Sequence, residues 1–237
     1  MFPDCKNCVV YFWLSTTAEA VDQVDTSTIL IVAIKWNIIF IFYIFIINII
    51  IEVWSTKKFR NICKEHISHP SIKTVLDYGG GGSDWDAKGF EPSNGASAKQ
   101  FFDVNAVTTF EPARNLMDKK RSDCVVCMDV LEHIFLTDIA NLVDELFSLT
   151  KKLLVINVAC YKASALLPNG ENAHITVRSP DWWKGIIDGA AIKHPNVKVL
   201  LICSKTFTTG VIFQPFSSND WHSSNDYSID YEWMNFQ

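Results

Sequence analysis

Four consecutive glycines, Gly79 to Gly82, follow a short apolar run that ends in an acid, Thr74-Val75-Leu76-Asp77-Tyr78. An apolar strand that stops at Asp-x-Gly-x-Gly opens a nucleotide or nucleoside site in an open α/β sheet. Glycines serve there because the chain must turn sharply and let a ligand reach bare backbone, which a Cβ would obstruct. The acid precedes the glycines, so the dinucleotide pattern G-x-G-x-x-G is absent, and no Gly-Lys-Ser/Thr follows to make a phosphate loop. Two further acids, Glu111 and Asp129, follow β-rich runs at 105–110 and 124–128. At the carboxyl ends of parallel strands the three acids face one crevice, and an acid ending the second strand commonly takes the hydroxyls of a ribose. No lysine, arginine or metal signature accompanies the glycines to balance a pyrophosphate. A nucleoside without phosphates, carrying its own positive charge, fits that crevice better.

Two histidines are candidates for proton transfer, which works best near a neutral pKa. His133 closes the segment Asp129-Val130-Leu131-Glu132-His133, directly after a strand end. His174 lies in the polar loop Asn169-Gly170-Glu171-Asn172-Ala173-His174, and loops held by a rigid scaffold often carry function. Each also has a plainer reading, as a helix-start residue bonded to backbone or as an ordinary loop histidine. Trp182 and Trp183 read as packing residues before a substrate platform. Seven cysteines, an odd number without repeated spacing, do not make a disulfide framework. Cys124 and Cys127 resemble half a zinc site, but residues three apart on a strand point to opposite faces and cannot share an ion.

The elements that must position these groups are legible in outline. A short helix over 59–69 is closed by Pro70. The glycine strand follows, then a long loop and a brief helix over 96–102. After the strands at 105–110 and 124–128, Thr137 is placed to cap a helix whose Ile139, Leu142, Val143, Leu146 and Phe147 form a core-facing stripe. Lys151 and Lys152 suit the C-terminal end of that helix. A buried strand covers 153–158. Ser179-Pro180 opens a second long helix, and strands at 197–203 and 208–213 complete an α/β domain over 55–215. The tail 216–237 reads as mobile or late to dock.

Ahead of this domain lie a polar segment, 1–28, and a run over 29–53 that is apolar all round. The run has the ~20 residues a spanning helix needs. Acidic residues precede it, while Lys57, Lys58 and Arg60 follow. The positive-inside rule therefore predicts one transmembrane helix with the C-terminal domain in the cytoplasm. A buried segment of a cytoplasmic fold is the competing reading. The net charge of −5 argues against nucleic acid as the partner. Nothing in the sequence speaks to oligomeric state.

Val75-Leu76-Asp77-Tyr78-Gly79-Gly80-Gly81 resembles motif I of class I S-adenosylmethionine-dependent methyltransferases. Asp129-Val130-Leu131-Glu132-His133-Ile134 is similar to the segment after the fourth strand of that superfamily, and the stretch 167–174 with the Trp182-Trp183 pair resembles a little-characterised branch. The likeness covers about residues 73–185. It implies a Rossmann-like sheet with helices on both faces and S-adenosylmethionine as cofactor. By position, Gly79, Gly80 and Gly81 would line the cofactor, with Asp77 near its amino group and Glu111 on the ribose. Asp129, Val130 and Leu131 would wall the site beside the methyl group, and His174 or His133 would serve as base toward a small-molecule acceptor, such as a sugar or envelope metabolite. The spacing departs from the pattern. Asp77 and Glu111 are further apart than usual, which makes Glu91 a rival, and Glu111 lies so close to Asp129 that a third strand is shortened or lost. The expected activity is methyl transfer. A non-catalytic domain of the same fold, binding a nucleoside or a partner protein at the membrane, is the alternative, and a nicotinamide oxidoreductase is disfavoured by the glycine spacing.

Overall fold

The computed structural model describes residues 57–167, 169–217 and 228–232. Seven strands carry the fold: β1 (Thr74–Tyr78), β2 (Ala106–Phe110), β3 (Ser122–Met128), β4 (Thr150–Ala159), β5 (Lys198–Ser204), β6 (Thr209–Phe216) and β7 (Ser228–Glu232). They form one sheet in the order β2-β1-β3-β4-β5-β6-β7. The first five are parallel, and β6 and β7 add an antiparallel edge. Among the described residues four α-helices accompany them: α1 (Arg60–Ile67), α2 (Ala98–Phe101), α3 (Ile139–Leu149) and α4 (Pro180–Ala191). This is an α/β fold with a mostly parallel, Rossmann-like sheet.

Strands buried on both faces must be apolar throughout, and here alternate residues divide between two cores. Val75, Cys124, Val126, Leu153, Val155, Leu200 and Ile202 pack with Cys63 and Ile67 of α1 and with Ala98 and Phe101 of α2. Leu76, Val125, Cys127, Leu154, Ile156, Val199 and Leu201 pack with Val143, Leu146 and Phe147 of α3 and with Trp183 and Ile187 of α4. Helices thus cover both faces, and Cys124 and Cys127 lie on opposite sides of β3. Trp183 is fully buried and Trp182 packs against it, both as core residues.

Because β2 and β3 flank β1, the winding reverses between β1 and β3. Open α/β sheets bind ligands at that point, beyond the carboxyl ends of the strands. The link from β2 to β3 is only Glu111–Arg121, with a 3-10 turn at Pro112–Arg114 in place of a crossover helix. Among the described residues no strand lies outside β2, as the short Glu111-to-Asp129 spacing implied.

Several expectations change. α3 begins at Ile139 after Asp138, with no side-chain cap, so Thr137 does not cap it. Lys151 and Lys152 belong to β4, which starts directly after the helix. The Thr150 hydroxyl donates to the Leu146 carbonyl at 2.7 Å, closing the last turn without a basic residue. Part of the C-terminal tail is ordered as β7, paired with β6 from Thr209↔Glu232 to Phe213↔Ser228. The apolar run 29–53 lies outside the described residues, among which no helix is long and apolar enough to cross a membrane.

Candidate functional site

β1 ends at Tyr78, level with Phe110 of β2, and the Gly79 amide donates to the Phe110 carbonyl at 2.8 Å. Gly79 then turns with φ +74°, where a Cβ would lie 2.5 Å from Cγ2 of Val130. A side chain there would be both strained and blocked. At Gly80 a Cβ would overlap the Asp77 carboxylate and lie 2.6 Å from the Ser83 hydroxyl. The glycines are therefore demanded by their neighbours, and Val130 of the second motif is the wall against which the first motif turns.

Asp77 sits beneath this turn, 4% exposed. Its Oδ2 accepts from the Ser83 hydroxyl and from the Trp85 indole N–H at 2.8 Å. Burial raises its pKa, while the Ser83 and Trp85 bonds oppose the shift. Asp77 shapes the loop from behind. Glu111 reaches the same loop from the end of β2. One of its oxygens accepts the Gly81 amide at 2.8 Å, and the other accepts the Ala113 amide at 3.0 Å. Glu91, the rival acid, instead pairs with Arg60 of α1 at 3.5 Å.

The expectation that no basic residue attends the glycines is corrected by Arg114. Its Nη1 donates to the carbonyls of Gly81 at 2.9 Å and Ser83 at 3.3 Å. Arg114 lies far from the glycines in sequence, and only the short β2–β3 link returns it to them. Lys58, just ahead of α1, is a further cation, within electrostatic reach of Asp129 and not among the glycine loop's own bonds. Its ammonium stands 4.9 Å from the ring centroids of both Phe59 and Phe207. Burial lowers its pKa to about 8, against the pull of the Asp129 carboxylate.

Asp129 belongs to a separate network. It adopts φ +52°, which aspartate tolerates better than most residues. Its Oδ1 accepts from the Asn157 amide at the end of β4, and the Ser204 hydroxyl at the end of β5 donates to Asn157 Oδ1 at 3.0 Å. A polar row thus crosses three strand ends. Leu131 is fully buried in the core beneath this row, so it supports the site from below.

The 3-10 turn Leu131–His133 carries the two remaining groups of the second motif. Glu132 is fully buried. One of its oxygens accepts the Ala159 amide at 2.9 Å, and the other has no hydrogen-bond partner. An unsatisfied buried acceptor of this kind costs about 1–3 kcal/mol. Burial, reinforced by Asp129, holds the Glu132 pKa well above the carboxylate range. His133 Nδ1 donates to the Ala173 carbonyl at 2.8 Å, and burial lowers its pKa to about 4. The histidine therefore stays neutral at physiological pH and is a weak proton acceptor there.

His174 arrives on the loop between β4 and α4. Asn172 shapes that loop by bonding both the amide and the carbonyl of Ala163 and by accepting the His174 amide at 3.1 Å. The Thr176 amide donates to the Glu132 carbonyl at 2.8 Å, and the Thr176 hydroxyl donates to the Ile134 carbonyl at 2.6 Å. Laced down in this way, His174 meets His133 edge-on with ring centroids 4.9 Å apart. The two histidines weighed separately in the sequence are one cluster. An open surface concavity of about 770 Å³, lined in part by Lys88, Asn94 and Gln100, contains none of the strand-end acids.

Compared with known proteins, the chain matches no protein family, no curated protein and no solved structure. The chemistry of the site rests on its own residues.

Proposed function

We propose that this chain binds S-adenosylmethionine over the glycine loop and transfers its methyl group to a small-molecule acceptor, as a member of the class I methyltransferases. The observation that carries this reading is the convergence of Asp77 and Glu111 on one glycine turn at the β1/β3 switch point. A Cβ at Gly79 or Gly80 would run into Val130, Asp77 or Ser83, so the strand end keeps the bare backbone that this reading requires. The Glu111 carboxylate on the Gly81 amide gives the loop an acidic group that suits a cationic ligand, beside the charge of Arg114.

The bound cofactor supplies a methyl group already activated on sulfonium, and the protein's task is alignment and exclusion of water. In this reading the backbone of Gly79, Gly80 and Gly81 lines the adenosyl and methionyl parts. Glu111 accepts the ribose hydroxyls with the lone pairs that its two amide bonds leave over. Asp77 holds the loop's shape from behind, and Val130 and Asp129 border the methyl. His174, the more exposed histidine, faces the acceptor with His133 behind it. Attachment to a membrane through residues 29–53, with the domain on the cytoplasmic side, belongs to the same proposal.

A second reading, a non-catalytic domain that binds a nucleoside or a partner protein, is favoured by one observation. Both Glu111 oxygens already accept backbone amides, and Arg114 already bridges two loop carbonyls. Calorimetric titration of S-adenosylmethionine and S-adenosylhomocysteine into the full-length chain separates the two. Micromolar binding, weakened at least about tenfold in Glu111→Gln, is the expected result, since a lost charge-assisted bond is worth about 1.5–3 kcal/mol. No binding by the folded protein sinks the methyltransferase reading.

A further inference from the structure

Glu132, His133 and His174 each offer one ligand atom, and those atoms all lie within 4.8 Å of one another. Proximity alone would not make a site, but the surroundings are built like one. The Glu132 oxygen without a partner belongs to a fully buried side chain. Buried carboxylates are ordinarily paired, hydrogen-bonded or metal-bound. Both neighbouring imidazoles already spend their Nδ1 protons on backbone carbonyls, His133 on Ala173 at 2.8 Å and His174 on Tyr161 at 2.5 Å. A carbonyl only accepts, so each neutral ring carries its proton on Nδ1 and its lone pair on Nε2. That tautomer, fixed by a carbonyl behind it, is the arrangement of a metal-ligating histidine. The Thr176 bonds to the carbonyls of Glu132 and Ile134 hold the two contributing segments together before any ligand arrives.

We propose that Glu132, His133 and His174 bind one divalent first-row transition ion through a carboxylate oxygen and two Nε2 atoms. Two imidazoles with one carboxylate favour ions such as zinc, cobalt or iron over magnesium and calcium, which prefer oxygen alone. Ligands on one ion at about 2.1 Å stand ~3–4 Å apart. The set must therefore close by about an ångström, and the half-buried His174 side chain has room to supply that movement. Three protein ligands leave coordination positions for water or for an oxygen of a small molecule. The ion would stand on the Asp129 side of the crevice. Its binding does not depend on methyl transfer.

The test uses the full-length chain, held in mild detergent on account of its apolar run, stripped with a chelator and titrated with Co²⁺ in the absence of any nucleoside. One equivalent should bind with the visible bands of a nitrogen- and oxygen-ligated ion, and the melting temperature should rise with metal concentration. His174→Ala should keep the circular dichroism of the parent and bind about a hundredfold more weakly or worse, since even outer partners of ligands are worth 10- to 100-fold. Glu132→Gln, which keeps an acceptor for Ala159, should lose affinity to a similar degree. The proposal is overturned if the folded parent binds no cobalt, or if His174→Ala binds it as tightly as the parent. Cobalt bound only through thiolates, betrayed by intense near-ultraviolet bands, overturns it as well.

Discussion

Two regions at the carboxyl ends of the strands treat their buried acids in opposite ways. Beneath the glycine loop, Asp77 accepts two side-chain donors and Glu111 accepts two backbone amides. At the β3–β4 end, Glu132 is buried at least as deeply, yet one of its oxygens has no donor while two imidazoles beside it direct their protons elsewhere. A satisfied acid is part of the scaffold, and its energy goes into the shape of a turn. An unsatisfied one is destabilising in the isolated fold and stores affinity for whatever supplies the missing positive partner. On the proposed reading, the glycine end is a loop already satisfied by its own acids, and the histidine end would be completed by a ligand.

Removing the satisfied acid should have the largest effect. Asp77→Ala leaves the Trp85 indole and the Ser83 hydroxyl without their acceptor and should lower stability by ~2–4 kcal/mol, read from urea midpoints. A loss under about 1 kcal/mol would mean that the loop holds itself without the acid.

Next in size is Gly79→Ala, which combines a left-handed backbone with the clash against Val130. A loss of about 2 kcal/mol is expected, with roughly half restored in the Gly79→Ala/Val130→Ala double variant. Absence of any rescue would show that backbone strain, not the packing of the two motifs, dictates glycine there.

The smallest effect has the opposite sign. In the metal-free protein, Glu132→Gln keeps the Ala159 bond and replaces a buried carboxyl group of which one oxygen lacks a partner. Its stability should match the parent's or exceed it by up to about 1 kcal/mol at pH 8. A clear loss would place Glu132 with Asp77 as scaffold and erase the contrast between the two ends.

Much of this arrangement was legible in the chain. Alternating burial of Val75/Leu76 and Cys124/Val125 follows from apolar strands covered on both faces, and the opposed Cys124 and Cys127 follow from the two-residue repeat of a strand. Ser179 and Pro180 open α4 as their types require, with the Ser179 hydroxyl accepting the Trp182 amide. The start of α3 was not legible, because Thr137 and Asp138 are both acceptable cap types and tertiary packing chose the boundary. The strand in the tail was not legible either, since an edge strand takes its hydrogen bonds from a neighbour rather than from its own sequence.

The amino-acid sequence by itself determined the glycine turn, the acids at the strand ends and the alternation of elements, because each depends on residues close together in the chain. Only the tertiary structure decided which groups meet. It returned Arg114 to the glycines, joined Asp129 to Asn157 and Ser204, and brought His174 onto the Glu132–His133 turn. Those contacts span loops whose course is set by packing and by backbone bonds such as Thr176 to Glu132, and local residue preference does not encode them.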